Sequence, residues 1–222
     1  IFPHSGVAHG AKRHTMRTKT LLITAAIGAA AAVASQAQVY SVNAVGYINL
    51  TAKPGFNLLA NQLIAADNTV EALLPGVPEG TSVYKFDPAA GYSITTLDFG
   101  AWTDPSVTLS PGEGFWFRNP GSEDLTITLV GEVPQGTLTT DLVEGFNLVS
   151  SQVPQAGLIE TDLGLPVEEG TSVYNYDPVA GYSISTIDFG AWSPAEPSVA
   201  VGEGVWVRAI SAGGWTRDFS VN

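Results

Sequence analysis

The stretch EGTSVYKFDPAAGYSITTLDFGAW runs from Glu79 to Trp102, and the chain writes it again from Glu169 to Trp192 as EGTSVYNYDPVAGYSISTIDFGAW. Inside the first copy, Ser82-Val83-Tyr84-Lys85-Phe86 is rich in β-branched and aromatic residues, DPAAG interrupts it, and Tyr92-Ser93-Ile94-Thr95-Thr96 resumes the pattern. Pro88 presets φ for a turn and Gly91 tolerates a positive φ at its exit, so the spacing predicts a β-hairpin. Two hairpins of one design imply a duplicated body.

The duplication extends beyond the quoted string. Tyr84 and Tyr174 are 90 residues apart, and Gly55-Phe56-Asn57-Leu58 recurs at the same offset as Gly145-Phe146-Asn147-Leu148. Gly112-Glu113-Gly114-Phe115-Trp116-Phe117-Arg118 likewise returns as Gly202-Glu203-Gly204-Val205-Trp206-Val207-Arg208. A period this long is a small domain repeated rather than a solenoid unit. We place repeat one at residues 46–135 and repeat two at 136–222, with residues 38–45 as an N-terminal strand or linker. At constant offset, Asn222 stands where Glu132 falls in repeat one. The short joining segment Val130–Gly136 predicts two packed or tightly tethered lobes.

Most local patterns are those of strands. Leu125, Ile127 and Leu129 alternate with Thr126, Thr128 and Val130, as in a half-buried strand. SPGEG precedes Phe115-Trp116-Phe117-Arg118 as a turn before another strand. Only the segment from Asp67 to Leu74 hints at a helix, with Asp67 or Asn68 as its cap. The 24 Gly and 14 Pro punctuate many short segments. The expected fold class is therefore all-β, two tandem β-sandwich or small-barrel repeats of about 90 residues each.

Ahead of the repeats, Met16-Arg17-Thr18-Lys19 opens a basic n-region, Leu21–Ala34 is apolar, and Ser35-Gln36-Ala37 offers small residues for cleavage. That order reads as a signal peptide over 16–37, with residues 1–15 as upstream reading frame or cloning remainder. The expected address is extracellular or cell-surface, with the periplasm as a further compartment, and no integral membrane segment is expected after cleavage. All three histidines and the single methionine lie in this leader region, and the chain has no cysteine. Beyond it stand five basic residues (Lys53, Lys85, Arg118, Arg208, Arg217) against 21 acidic ones, a net charge of −16 by counting. Such a field repels nucleic acid. Without cysteine, cohesion must come from apolar burial.

These counts also limit the chemistry. The exported chain cannot host a Ser-His-Asp or Cys-His arrangement, nor a His/Cys zinc site, and GEG is too short for a phosphate-binding loop. No catalytic residue and no cofactor are therefore assigned, and the chain is read as a non-enzyme. Carboxylates recur at Asp87/Asp177, Asp98/Asp188 and Glu113/Glu203. A carboxylate-only glycosidase would need two of them across a sugar, whereas Asp beside Pro or Phe-Gly ordinarily closes turns. Calcium would find oxygens in excess, but no D-x-[DN]-x-[DN]-G loop occurs and no metal ligand is assigned.

Strand alternation places Phe115 and Phe117 on one face and Trp116 with Arg118 on the other. Repeat two keeps Trp206/Arg208 and replaces the first pair by Val205/Val207, a change that a core position tolerates. Trp116, Arg118, Trp206 and Arg208, with Trp102 and Trp192 nearby, are therefore the candidate ligand-binding residues. A Trp plane beside an Arg can serve as a sugar platform; the same pair can equally close a sheet. The expected partner is a surface glycan or another extracellular protein.

At GFNLLANQL, SVYKFDPAAGYS, SPGEGFWFRNP and VGEVPQG the chain resembles a family of uncharacterised secreted proteins of environmental bacteria. Its members carry a signal peptide, an SVNAVGY-like mature start (here Ser41–Tyr47) and tandem β-rich repeats. Similar G-[WF]-N-L and G-x-G-F-[WF]-V strings occur in modules appended to bacterial surface proteins. The resemblance implies adhesion or surface display, by a non-enzymatic structural or interaction protein.

Overall fold

The computed structural model describes residues 44–221. The expected signal peptide, the residues before it and most of the 38–45 linker lie outside the described residues. The repeats lie within one compact unit, Asn43–Asn222. The fold is all-β, with several antiparallel sheets and one helix of four residues among the described residues.

Repeat one contains β1 (Val45–Ala52), β2 (Gly55–Ala60), α1 (Val70–Leu73), β3 (Ser82–Asp87), β4 (Gly91–Asp98), β5 (Ala101–Trp102), β6 (Gly114–Asn119) and β7 (Leu125–Glu132). Repeat two contains β8 (Gly136–Leu142), β9 (Gly145–Val149), β10 (Gly157–Leu158), β11 (Ser172–Asp177), β12 (Gly181–Asp188), β13 (Ala191–Ser193), β14 (Ser198–Val199), β15 (Val205–Ala209) and β16 (Gly213–Phe219). Five strands form one sheet in the order β2-β6-β3-β4-β5, and their counterparts form another in the order β9-β15-β11-β12-β13. The registers correspond, with Val83 opposite Phe117 in one sheet and Val173 opposite Val207 in the other.

Each sheet is covered on one face by a two-stranded ribbon, β1–β7 in repeat one and β8–β16 in repeat two. Ile48, Leu50, Ala52, Ile127 and Leu129 point from the first ribbon onto Leu59, Val83, Phe115 and Phe117 of its sheet. Val70 and Leu73 of α1 and Trp102 complete that core. Repeat two builds the same two-layer arrangement around Val173, Val205, Val207 and Trp215. The Phe115/Phe117 to Val205/Val207 exchange thus falls on core positions, and all four are buried. Both layers are sandwich-like and depend on burial of aliphatic and aromatic surface, worth about 25 cal/mol per Å².

The repeated strings have local physical jobs. In GFNL, Gly55 and Gly145 take φ of 87° and 97°, the left-handed region that glycine enters without penalty. Asn57 then clamps the turn: it accepts from the Lys53 N–H at 2.9 Å and donates to the Lys53 carbonyl at 2.8 Å. Asn147 repeats this with Val143 at 2.9 and 2.8 Å. In the DPxxG hairpins, Asp87 accepts from the Ala89 and Ala90 N–H groups at 2.8 and 2.7 Å. Asp177 does the same at Val179 and Ala180, at 2.7 Å each. These bonds hold both carboxyls below the ordinary aspartate value.

Two expectations are corrected. The helix cap is Thr69, whose hydroxyl accepts from the Ala72 N–H at 3.4 Å. Asp67 and Asn68 instead accept from the Thr69 and Ala65 N–H groups outside the helix. The second correction concerns the offset near the C-terminus. Leu50 pairs with Ile127, while Thr140, its counterpart, pairs with Trp215. The offset there is 88 rather than 90, so repeat two is two residues shorter after Arg208 and Asn222 does not match Glu132.

The GEG turns, read from sequence as turns before strands, also form the seam between the repeats. The Ala60 N–H donates to the Gly202 carbonyl at 2.8 Å, and the Ser150 N–H to the Gly112 carbonyl at 3.0 Å. Leu59 bridges Glu203 just as Val149 bridges Glu113. A Cβ at Gly204 would lie 2.7 Å from the Leu59 carbonyl oxygen, and one at Gly202 would lie 2.1 Å from a Leu50 methyl. Buried Gln62 completes the seam, accepting from the Gly202 N–H at 2.9 Å and donating to the Ser150 hydroxyl at 3.1 Å.

Candidate functional site

Alternation on β2, β3, β4 and β6 sends one residue in two away from the ribbon-covered core. On this outer face Leu58, Trp116, Tyr84 and Ile94 are successive cross-strand neighbours. Phe56 sits opposite Arg118, and Phe86 opposite Tyr92. The second sheet repeats the row as Leu148, Trp206, Tyr174 and Ile184. Each sheet therefore has an aliphatic inner face and an aromatic outer face.

The two outer faces meet around Leu58, Leu148 and Trp206, with Phe86, Trp116, Tyr174 and Tyr176 packed against them. Contacts across this junction are reciprocal. Trp116 meets Tyr176 edge-on with centroids 4.7 Å apart, and Trp206 meets Phe86, the counterpart of Tyr176, also at 4.7 Å. Phe56–Trp116 and Phe146–Trp206 are both 6.1 Å and nearly perpendicular. Edge-to-face pairs of this kind add about 0.5–1.5 kcal/mol beyond area burial.

Only part of each aromatic face is covered. Tyr92 and Tyr182 stay 50% and 51% exposed, and Phe56, Ile94, Phe146 and Ile184 also reach solvent. Two related clefts open here. One, of ≈ 280 Å³, is lined by Phe56, Tyr84, Tyr92, Trp116 and Tyr176. The other, of ≈ 460 Å³, has Phe146, Tyr174, Tyr182 and Trp206 in the matching positions, with Phe86, Tyr92 and Ile184. Burial raises the Tyr182 hydroxyl above the ordinary tyrosine value, so it stays a neutral donor at physiological pH.

Of the candidate residues, the structure brings Trp116 and Trp206 to this junction. Trp116 is half-buried and Trp206 is 9% exposed, so neither indole lies open as a flat platform. Arg118 and Arg208 are exposed on the same faces, but the Arg118 guanidinium reaches the Gly80 carbonyl at 3.5 Å. Trp102 is buried in the first core instead, and Trp192 packs half-buried against the second. The Trp192 N–H donates to Glu160 at 2.7 Å. Phe56, Tyr92, Tyr176 and their counterparts were missed as site residues. Their signal was available, since the hairpin puts Phe86 beside Tyr92 on the Trp116 face.

Of the repeated carboxylates, Asp87, Asp177, Glu113 and Glu203 accept from the backbone. Glu113 accepts from the Ser110 N–H and pairs with Lys85, both at 2.9 Å. Glu203 accepts from the Ala200 N–H at 2.8 Å. Asp98 and Asp188 precede the hairpin tips, where Glu79 accepts from the Gly100 N–H at 2.6 Å and Glu169 from the Phe189 N–H at 2.8 Å. Among the described residues, no group of three or more His, Cys, Asp or Glu is placed to hold a metal ion. No helix among them is long and apolar enough to cross a membrane.

No family model matches the chain, and no curated protein or solved structure is detectably similar to it.

Proposed function

We propose that this chain is a secreted or cell-surface, non-enzymatic interaction module whose recognition surface is the paired aromatic face at the junction of the two repeats. The observation that carries the reading is the exposure of Phe56, Tyr92, Phe146 and Tyr182 beside the clefts. A contiguous apolar patch left open in this way is what an interaction surface offers. The leader-like segment supports an extracellular address. Purified chain applied to envelopes of the producing cell should be retained, and the double variant Phe56→Ala/Tyr92→Ala should lose most of that retention while circular dichroism shows it still folded at the assay temperature.

Carbohydrate binding by the Trp116/Arg118 and Trp206/Arg208 faces is the second reading, favoured by the aromatic clefts. It requires an accessible ring face with polar groups at its edge. A glycan array with wild type, Trp116→Ala and Trp206→Ala tests it, and absence of wild-type binding removes it. The glycosidase reading ends if wild type shows no turnover on a polysaccharide panel, with Asp98→Asn as the control.

A further inference from the structure

We infer that the two aromatic clefts are binding sites for a quaternary ammonium group carried on a small molecule. This rests on the reading of the aromatic face as the recognition surface and adds the chemistry of the ligand.

The argument begins with the lining. The smaller cleft is bounded by five aromatic rings and nothing else, Phe56, Tyr84, Tyr92, Trp116 and Tyr176. Steep angles separate its walls: 62° between Phe56 and Tyr84, 88° between Phe56 and Trp116, 79° between Trp116 and Tyr176. The rings meet edge to face rather than in a stacked pile. Where a ring face is left open to the cleft it presents the negative lobe of its quadrupole, which is attractive to a cation. The larger cleft preserves the design with Phe146, Tyr174, Tyr182 and Trp206.

Charge complementarity selects the occupant. The described residues carry 21 acidic groups against five basic ones, so the field at the surface concentrates cations. No cationic side chain lines either cleft. Arg118 stands opposite Phe56 and Arg208 opposite Phe146, at the borders of the two faces, and the Arg118 guanidinium turns to the Gly80 carbonyl. A primary ammonium would keep its tightly held water, because the clefts offer few acceptors. A trimethylammonium group has no N–H to satisfy and is weakly hydrated, so aromatic walls compete well for it. A sugar would need more polar partners than the tyrosine hydroxyls supply, and both clefts have room for a trimethylammonium head and part of its tether.

Choline and its neutral carbon isostere, 3,3-dimethyl-1-butanol, give the test on the full chain, read by the indole N–H resonances. Choline should move the Trp116 and Trp206 signals saturably and leave Trp102, Trp192 and Trp215 in place. The isostere should bind about tenfold or more weakly, the scale of a desolvated cation–π contact. Tyr92→Ala, at a half-exposed position lining both clefts, should weaken choline at least about fivefold, and Tyr92→Phe should restore it. Equal binding of the two compounds overturns the cation preference while leaving the aromatic face as an interaction surface. Binding to phosphatidylcholine vesicles without binding to free choline overturns the small-molecule assignment. If neither compound binds but envelope retention still depends on Tyr92, this inference alone falls. If Tyr92→Ala changes neither readout, the functional reading falls with it.

Discussion

Gly204 is the seam position closest to the main chain of the other repeat, and Gly204→Ala isolates its contribution. The new Cβ would stand 2.7 Å from the Leu59 carbonyl oxygen, 3.3 Å from the Leu59 carbonyl carbon and 3.2 Å from the Gly114 Cα. All three are main-chain atoms of the other repeat, so no side-chain rotation relieves the clash. Moving the repeats apart would stretch the bonds from the Gly204 N–H to the Leu58 carbonyl at 3.2 Å and from the Ala60 N–H to the Gly202 carbonyl at 2.8 Å. Overpacking a close contact costs about 1–3 kcal/mol, and the rigidity of the obstacle puts this case near about 3 kcal/mol. For a chain of this size that is a fall of roughly 6–12 °C in Tm. Gly213→Ala is the control: nothing lies within 4 Å of its Cβ, so it should be neutral or stabilising by up to about 1 kcal/mol. Gly114→Ala, 3.1 Å from the Val149 carbonyl oxygen, should fall between them. Calorimetric melts of the three variants decide the matter. A Gly204→Ala protein melting within about 2 °C of wild type, or no lower than Gly213→Ala, would refute the seam argument.

Further perturbations probe other parts of the fold. Phe99 and Phe189 occupy hairpin tips at φ of 50° and 53° and are 97% and 96% exposed; Phe99→Asn and Phe189→Asn should each raise stability by up to about 1 kcal/mol, because Asn tolerates the left-handed region, and unchanged urea midpoints would argue against this. A double-mutant cycle on Phe86 and Trp206 should return a coupling of about 0.5–1.5 kcal/mol, with the Tyr176–Trp116 cycle alike, whereas zero coupling would deny the reciprocal junction. Asp87 and Asp177 have folded pKa values below their unfolded ones, so their stabilisation is complete above the unfolded aspartate value of about 3.9 and is lost as pH falls through the folded value. Asp87→Asn should therefore be less stable than wild type at neutral pH, with the gap closing below about pH 4; a gap that persists in acid would refute the cause.

Strand identity and duplication were legible because both are written in short-range pattern. The alternation over Leu125–Val130 and the hairpin from Ser82 to Thr96 have the period of a strand, and β-sheet pleating converts that period directly into two faces. Exchange of Phe115/Phe117 for Val205/Val207 marked the core side in the same way. The cap at Thr69 was not legible, since Asp67, Asn68 and Thr69 are all competent caps and only backbone geometry separates them. The Asn-Pro that follows Arg118 is visibly missing after Arg208, but the two-residue shift it brings shows only when Trp215 is seen opposite Thr140.

Sequence alone determined that the body is β-structured, that its pattern occurs twice, and which strand faces carry aliphatic or aromatic side chains. Those properties follow from neighbours a few residues apart. Tertiary structure alone decided that Trp116 packs against Tyr176 and Trp206 against Phe86. It also decided that Trp102 belongs to a core and that GEG is a seam as well as a turn. Each of those facts depends on how one sheet lies against another, and no local period in the chain encodes that placement.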